Sequence, residues 1–131
     1  MSPETKSELR RTLRARRRQL AAARPNAAHD AADALPLSKL PAFAIFGGYH
    51  AVGAELDPSP LIRRLAGTGA MFALPVSLAL GEPLIFRAWE PGDTMVPDAV
   101  NIPAPPSSAA ELHPDLLICP LLAFDRRGGR L

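Results

Sequence analysis

Residues 42–49 read AFAIFGGY, a short apolar run with aromatics that is ended by Gly47-Gly48. Such a run predicts a first sheet strand near 43–49. A loop carrying His50 and Glu55 follows. Pro58 to Ala66 then combines Ser59 and Pro60 with Leu61, Ile62 and Leu65, the makings of a capped helix that closes at Gly67. Residues 71–76 (MFALPV) are the next strand. Strand, helix and strand in that order predict an α/β fold around a central sheet.

Working towards the C-terminus, residues 84–89 (LIFRAW) read as a strand with Arg87 pointing away from Leu84, Phe86 and Ala88. Residues 93–114 are rich in Pro, Ser and Ala without a steady period, and are expected to be an irregular connection. Residues 116–119 (LLIC), between Pro114-Asp115 and Pro120, have the pattern of a fully buried strand, which makes Cys119 a buried thiol acting as a small hydrophobe. Asp125, followed by Arg126-Arg127-Gly128-Gly129, reads as a polar turn.

Working towards the N-terminus, Ala27, Ala28, Ala31, Ala32 and Leu35 predict a second amphipathic helix that stops before Pro36. Ahead of it, Ser2, Pro3 and Glu4 form a start signal for a helix that runs to about Ala23. Leu9, Leu13 and Leu20 give that helix one narrow apolar stripe for docking. Lys6, Arg10, Arg14 and Arg17 fall on a neighbouring stripe. Residues 1–24 hold eight of the 15 Lys and Arg residues, opposed by Glu4 and Glu8 alone. Such a surface attracts phosphates, nucleic acid or anionic membrane, and like charges at helical spacing repel until an anion relieves them.

With 131 residues, 47% of them hydrophobic and 21% charged, the chain can bury one core and is expected to be a single folded domain, 1–131. The 15 prolines punctuate short elements. One cysteine excludes an internal disulfide and favours a reducing compartment. No apolar run reaches the ~18 residues that span a bilayer. The basic start has no h-region, and its acids, Glu4 and Glu8 with Asp30 and Asp33 beyond, count against a transit peptide, so a cytoplasmic location is expected. His29, His50 and His113 lack partners at zinc-ligand spacing. The common nucleotide-binding loops and the serine-hydrolase elbow are absent from the sequence.

Several short pieces nevertheless occur together and in order. They are Lys6-x-x-Leu9-Arg10, the aromatic-ended strand leading to Glu55, Leu74-Pro75, Leu84-x-Phe86-x-x-Trp89, Asn101-Ile102-Pro103, and Pro114-Asp115-Leu116 running into Ala123-Phe124-Asp125-x-x-Gly128-x-Arg130-Leu131. On these the chain resembles the 5-formyltetrahydrofolate cyclo-ligase family. The resemblance implies a three-layer α/β/α fold with a central sheet and two N-terminal helices. It also implies an ATP- and Mg²⁺-dependent ring closure: the formyl oxygen of 5-formyltetrahydrofolate is phosphorylated, N10 attacks the activated carbon, and phosphate leaves to give 5,10-methenyltetrahydrofolate.

By the same resemblance Lys6 and Arg10 bind ATP phosphates, Glu55 binds the folate, His50 lines its pocket, and Arg130 is the first residue of a phosphate site. In the family, Arg-Leu at this point leads into a Gly-rich segment carrying a magnesium-binding aspartate. That segment follows no residue of the present sequence. The expectation is therefore a fold incomplete at the C-terminus, with no metal ligand in the chain, no measurable activity, and residues 116–119 left as an apolar edge. A monomer acting on a small molecule is expected, with neither nucleic acid nor membrane as partner. No single catalytic residue is assigned. The rival reading is a non-catalytic module whose arginine helix binds nucleic acid nonspecifically. Its mark would be steep salt dependence, and the first helix lacks the stacking aromatics that would favour it.

Overall fold

A computed structural model describes residues 3–131. Helix α1 spans Pro3–Ala23, and the Ser2 cap expected for it lies outside the described residues. Leu9 and Leu13 are half-buried as the docking stripe requires, and so is Arg17. Leu20, expected on the same stripe, is 42% exposed. Helix α2 spans Ala27–Ala34 and a 3₁₀ turn covers Leu37–Lys39.

Strand β1, Ile45–Gly47, is shorter than the run that predicted it. Helix α3, Ser59–Ala66, and strand β2, Met71–Val76, follow as read. α3 starts where Asp57 Oδ1 accepts the Ser59 N–H at 2.9 Å. Pro60 takes an early position that needs no intrahelical N–H. Strand β3 is Ile85–Ala88.

Residues 93–114, expected to be irregular, hold three two-residue strands. β4 (Val96–Pro97) and β5 (Pro103–Ala104) pair with each other, and β6 (Glu111–Leu112) joins the main sheet. Strands this short show no periodicity, which is why the sequence hides them. Asp98 organises the first pair. Its Oδ1 accepts the N–H groups of Val100 and Ile102 at 3.0 Å each, and Oδ2 accepts that of Ser77 at 3.0 Å. Asn101 has a positive φ of 62, a left-handed conformation that asparagine tolerates better than most residues.

The five-stranded sheet has the order β6-β3-β2-β1-β7, with β7 at Leu116–Leu117. β1 is parallel to both β2 and β7, while β2–β3 and β3–β6 are antiparallel. Of the two expectations for residues 116–119, the fully buried strand is corrected and the apolar edge is what the structure shows: β7 is bonded to β1 alone among the described residues. Leu117 is 49% exposed, and Cys119 lies beyond the strand as an exposed thiol. Asp115 pins its start, with Oδ2 accepting the N–H of Ala44 at 2.7 Å.

Residues paired across strands share a face. Phe46, Phe72, Leu74 and Arg87 lie on one face, and Gly47, Ala73, Phe86 and Leu117 on the other. The first face packs under α3, and Arg64 of α3 donates to the Ala32 carbonyl of α2. Phe46 is 0% exposed and stacks on Phe72 with ring centroids 5.1 Å apart. Phe72 in turn meets Trp89 edge-on at 6.2 Å. This aromatic row runs from the buried core at Phe46 out to the half-buried Phe72 and Trp89.

Candidate active site

Because β1 and β7 run parallel, their carboxyl ends open on the same side, the usual place for a ligand crevice in an α/β sheet. The loop after β1 is held by its own side chains. Tyr49 donates its hydroxyl to the Leu56 carbonyl at 2.6 Å, and Glu55 Oε1 accepts the Val52 N–H at 2.8 Å. Glu55 is thus partly committed to shaping the loop. Burial pushes the Tyr49 hydroxyl pKa above its ordinary value, the charges of Glu55 and Asp57 add to this, and Arg17 opposes it. The hydrogen bonds that Ser59 gives Asp57 hold that carboxyl below the usual range, with help from Arg63 and His29 against a burial effect.

Two clefts meet at Tyr49. One, of about 420 Å³, is lined by Arg17, Tyr49, Glu55, Leu56 and residues 119–124. The other, of about 290 Å³, lies over the aromatic row and is lined by residues that include Tyr49, His50, Ile62, Phe72, Trp89 and Met95. Each contains a buried donor without a partner: Arg17 Nε in the first and Trp89 Nε1 in the second. A buried donor left unpaired costs about 1–3 kcal/mol. Such atoms mark places where a ligand can supply the missing acceptor.

The residues singled out from sequence are not gathered into one spot. Glu55 lines the first cleft, whereas His50 is exposed and lines the second. Arg10 lies along an open groove of about 380 Å³ on α1, with Ser7, Arg11, Arg14 and Arg18. Lys6 is exposed on the same helix. Arg17, which the spacing put beside Lys6, Arg10 and Arg14, turns instead to the Tyr49 cleft. Arg130 is exposed and bridges to Phe124 in a terminal hairpin. There Asp125 Oδ1 accepts the N–H groups of Arg127 and Gly129 at 2.8 Å each, the polar turn expected. Tyr49, Trp89 and Arg17 were missed as site residues. Trp89 ends the Leu84-x-Phe86-x-x-Trp89 pattern, and Arg17 sits one turn beyond Leu13 at the border of the apolar stripe. Among the described residues no group of three or more His, Cys, Asp or Glu is placed to hold a metal ion.

A family model described as the 5-formyltetrahydrofolate cyclo-ligase family matches residues 2–131. The chain belongs to that family. A curated 5-formyltetrahydrofolate cyclo-ligase of Mycolicibacterium smegmatis is 31% identical over 142 aligned positions, covering 100% of this chain and 71% of that protein. The cyclo-ligase of Escherichia coli K12 is 36% identical over 83 residues, which are 59% of this chain and 45% of the relative. The fold matches the NMR structure of Aquifex aeolicus 5,10-methenyltetrahydrofolate synthetase with a TM-score of 0.73 at 22% identity. That match covers 95% of this chain and 65% of the Aquifex chain. The mixed central sheet flanked by helices is thus the cyclo-ligase fold.

Proposed function

We propose that this chain serves the ATP-dependent conversion of 5-formyltetrahydrofolate to 5,10-methenyltetrahydrofolate, with release of ADP and phosphate, as a cytoplasmic monomer. The observation that carries this reading is the aromatic cleft with its unpartnered Trp89 indole N–H, in a chain whose family acts on a reduced folate. A flat heterocycle rich in ring nitrogens and carbonyl oxygen suits an apolar slot between Phe72, Trp89 and Tyr49, and its acceptors suit the indole. Glu55 at the adjoining cleft is an acceptor for the N–H donors of the pterin edge. His50 lines the slot at its exposed rim.

ATP supplies the phosphoryl group that activates the formyl oxygen. The arginine groove on α1 suits a polyphosphate, because its guanidinium groups are exposed and mutually repelling. Arg10 in that groove and Lys6, exposed one turn before it on the same helix, are the proposed phosphate contacts, with Arg130 as a further one. Among the described residues the carboxylates and imidazoles do not gather into a Mg²⁺ cage.

Trp89 is the sole tryptophan in the sequence, so ligand entry is directly readable. Titrating 5-formyltetrahydrofolate into the purified chain should quench its fluorescence, and methenyl absorbance after ATP is added reads turnover separately. Absence of both signals overturns the reading. Quenching without turnover leaves folate recognition standing and removes catalysis.

A further inference from the structure

We propose that Arg17 is an oxyanion-binding residue of the cleft between α1 and the loop after β1, taking either a ligand carboxylate or a phosphate. The inference deepens the functional reading and rests on it for the ligand's identity, though not for the residue's role. Three observations converge. Arg17 follows Leu13 by one turn and is half-buried like Leu9 and Leu13, whereas Arg10, Arg11, Arg14, Arg16 and Arg18 are exposed. A cation beside a docking stripe weakens packing unless something there needs it. Its Nε is shut off from solvent and has no acceptor. Finally, Arg17 lines a cleft of about 420 Å³ together with Tyr49 and Glu55, space enough for a ligand group to reach the guanidinium.

The negative charges that face it do not remove the need for a ligand. Glu55 Oε1 is engaged by the Val52 N–H, and the Arg17 Nε–H still finds no partner. A guanidinium gives a carboxylate or phosphate two parallel hydrogen bonds, which an ammonium cannot reproduce. On this view Arg17 sacrifices some stability of the α1 contact for ligand affinity. A residue with a purely structural role would show the opposite balance.

The experiment compares the wild-type chain with Arg17→Leu and Arg17→Lys by thermal melting. Each is measured alone, with tripolyphosphate, with N-(4-aminobenzoyl)-L-glutamate, and with sodium chloride at matched ionic strength. Without probe, Arg17→Leu should melt at or above the wild-type temperature, because leucine continues the stripe. One probe should raise the wild-type melting temperature by about 5 °C at ten times its dissociation constant. That rise should be lost in Arg17→Leu and mostly lost in Arg17→Lys. Loss of the tripolyphosphate response assigns the residue to phosphate, and loss of the other assigns it to carboxylate. The proposal is overturned if neither probe exceeds the salt control, if Arg17→Leu responds like wild type, or if Arg17→Leu melts lower without probe. A probe response that depends on Arg17, with no fluorescence response to 5-formyltetrahydrofolate, would sink the folate reading and leave this one intact.

Discussion

The Tyr49 hydroxyl donates to the Leu56 carbonyl at 2.6 Å, so the residue shared by both clefts also fastens the loop that carries Glu55. Shape and electrostatics of the site are thereby linked. Tyr49→Phe keeps the ring and removes the fastening. It should cost about 0.5–1.5 kcal/mol in urea denaturation, the usual net value of such a bond. It should also weaken folate binding, measured by Trp89 quenching, because Glu55 is then less firmly placed. Unchanged stability and unchanged quenching would show that the bond contributes nothing.

Glu55 has two roles that substitution can separate. Glu55→Gln keeps an oxygen for the Val52 N–H but loses the charge, so stability should hold while folate affinity falls roughly tenfold, as for a charge-assisted bond made neutral. Glu55→Ala should lose both. Equal folate binding in all three proteins would confine Glu55 to holding its loop.

Lys6→Ala and Arg10→Ala should each weaken ATP binding by about 1–3 kcal/mol, the range for hydrogen bonds to charged groups. Isothermal titration with ATP checks this. Because both side chains are exposed, neither change should shift the melting temperature. Affinity unchanged in both variants would mean a solvated helix face.

Asp98 predicts an acid limit to stability. Burial disfavours its charge, but the N–H groups of Ser77, Ile102 and Val100 outweigh this and hold its pKa below the ordinary carboxylate value. A carboxylate depressed on folding stabilises the fold fully above the unfolded value, and the benefit disappears as pH falls through the lower folded value. Asp98→Asn should therefore be less stable at pH 7 and show a shallower loss between about pH 5 and pH 2. Parallel stability curves for the two proteins would exclude Asp98 as the source.

Gly48 tests the packing of the aromatic slot. A Cβ there would lie 2.9 Å from Phe72 Cε1 and 3.4 Å from Ile62 Cδ1. Gly48→Ala should therefore displace the Phe72 ring and cost about 1–3 kcal/mol, the range for overpacked cores. Calorimetry gives the loss directly. A neutral substitution would mean the ring has room to move.

The parts of the fold legible in the sequence were those with enough residues to show a period or a boundary. Helices α1, α2 and α3 and strands β2 and β3 are of this kind. β4, β5 and β6 were hidden because each is two residues long and is fixed by specific pairings and by the Asp98 bonds to Ser77 and Ile102, not by a periodic pattern. For β7 the run itself was ambiguous: an apolar run looks the same at a sheet's centre and at its edge, and only the pairing order distinguishes them. In the site, Glu55 could be named from its motif, and the structure puts it in a cleft. Arg17 could not be separated from its neighbours by charge, because its distinction is the half-buried side on which it sits. Trp89 was visible as a motif letter, and its unpartnered nitrogen was not.

The attachment of β7 to β1 also sets an order of assembly. β1, α3, β2 and β3 are consecutive in the chain and close over short spans, while the Asp115 bond to Ala44 joins residues 71 apart. Closing so long a loop is entropically unfavourable until its contacts form, and this edge contributes only a two-residue ladder. The strand should therefore add late to a preformed β1–β3 unit and be the first to detach. Hydrogen exchange would register this as rapid loss of protection at Ile118, whose N–H bonds the Gly47 carbonyl at 2.8 Å, well before the amides of β2. The Tyr49 cleft, walled on one side by residues 119–124, would then open and close with that detachment.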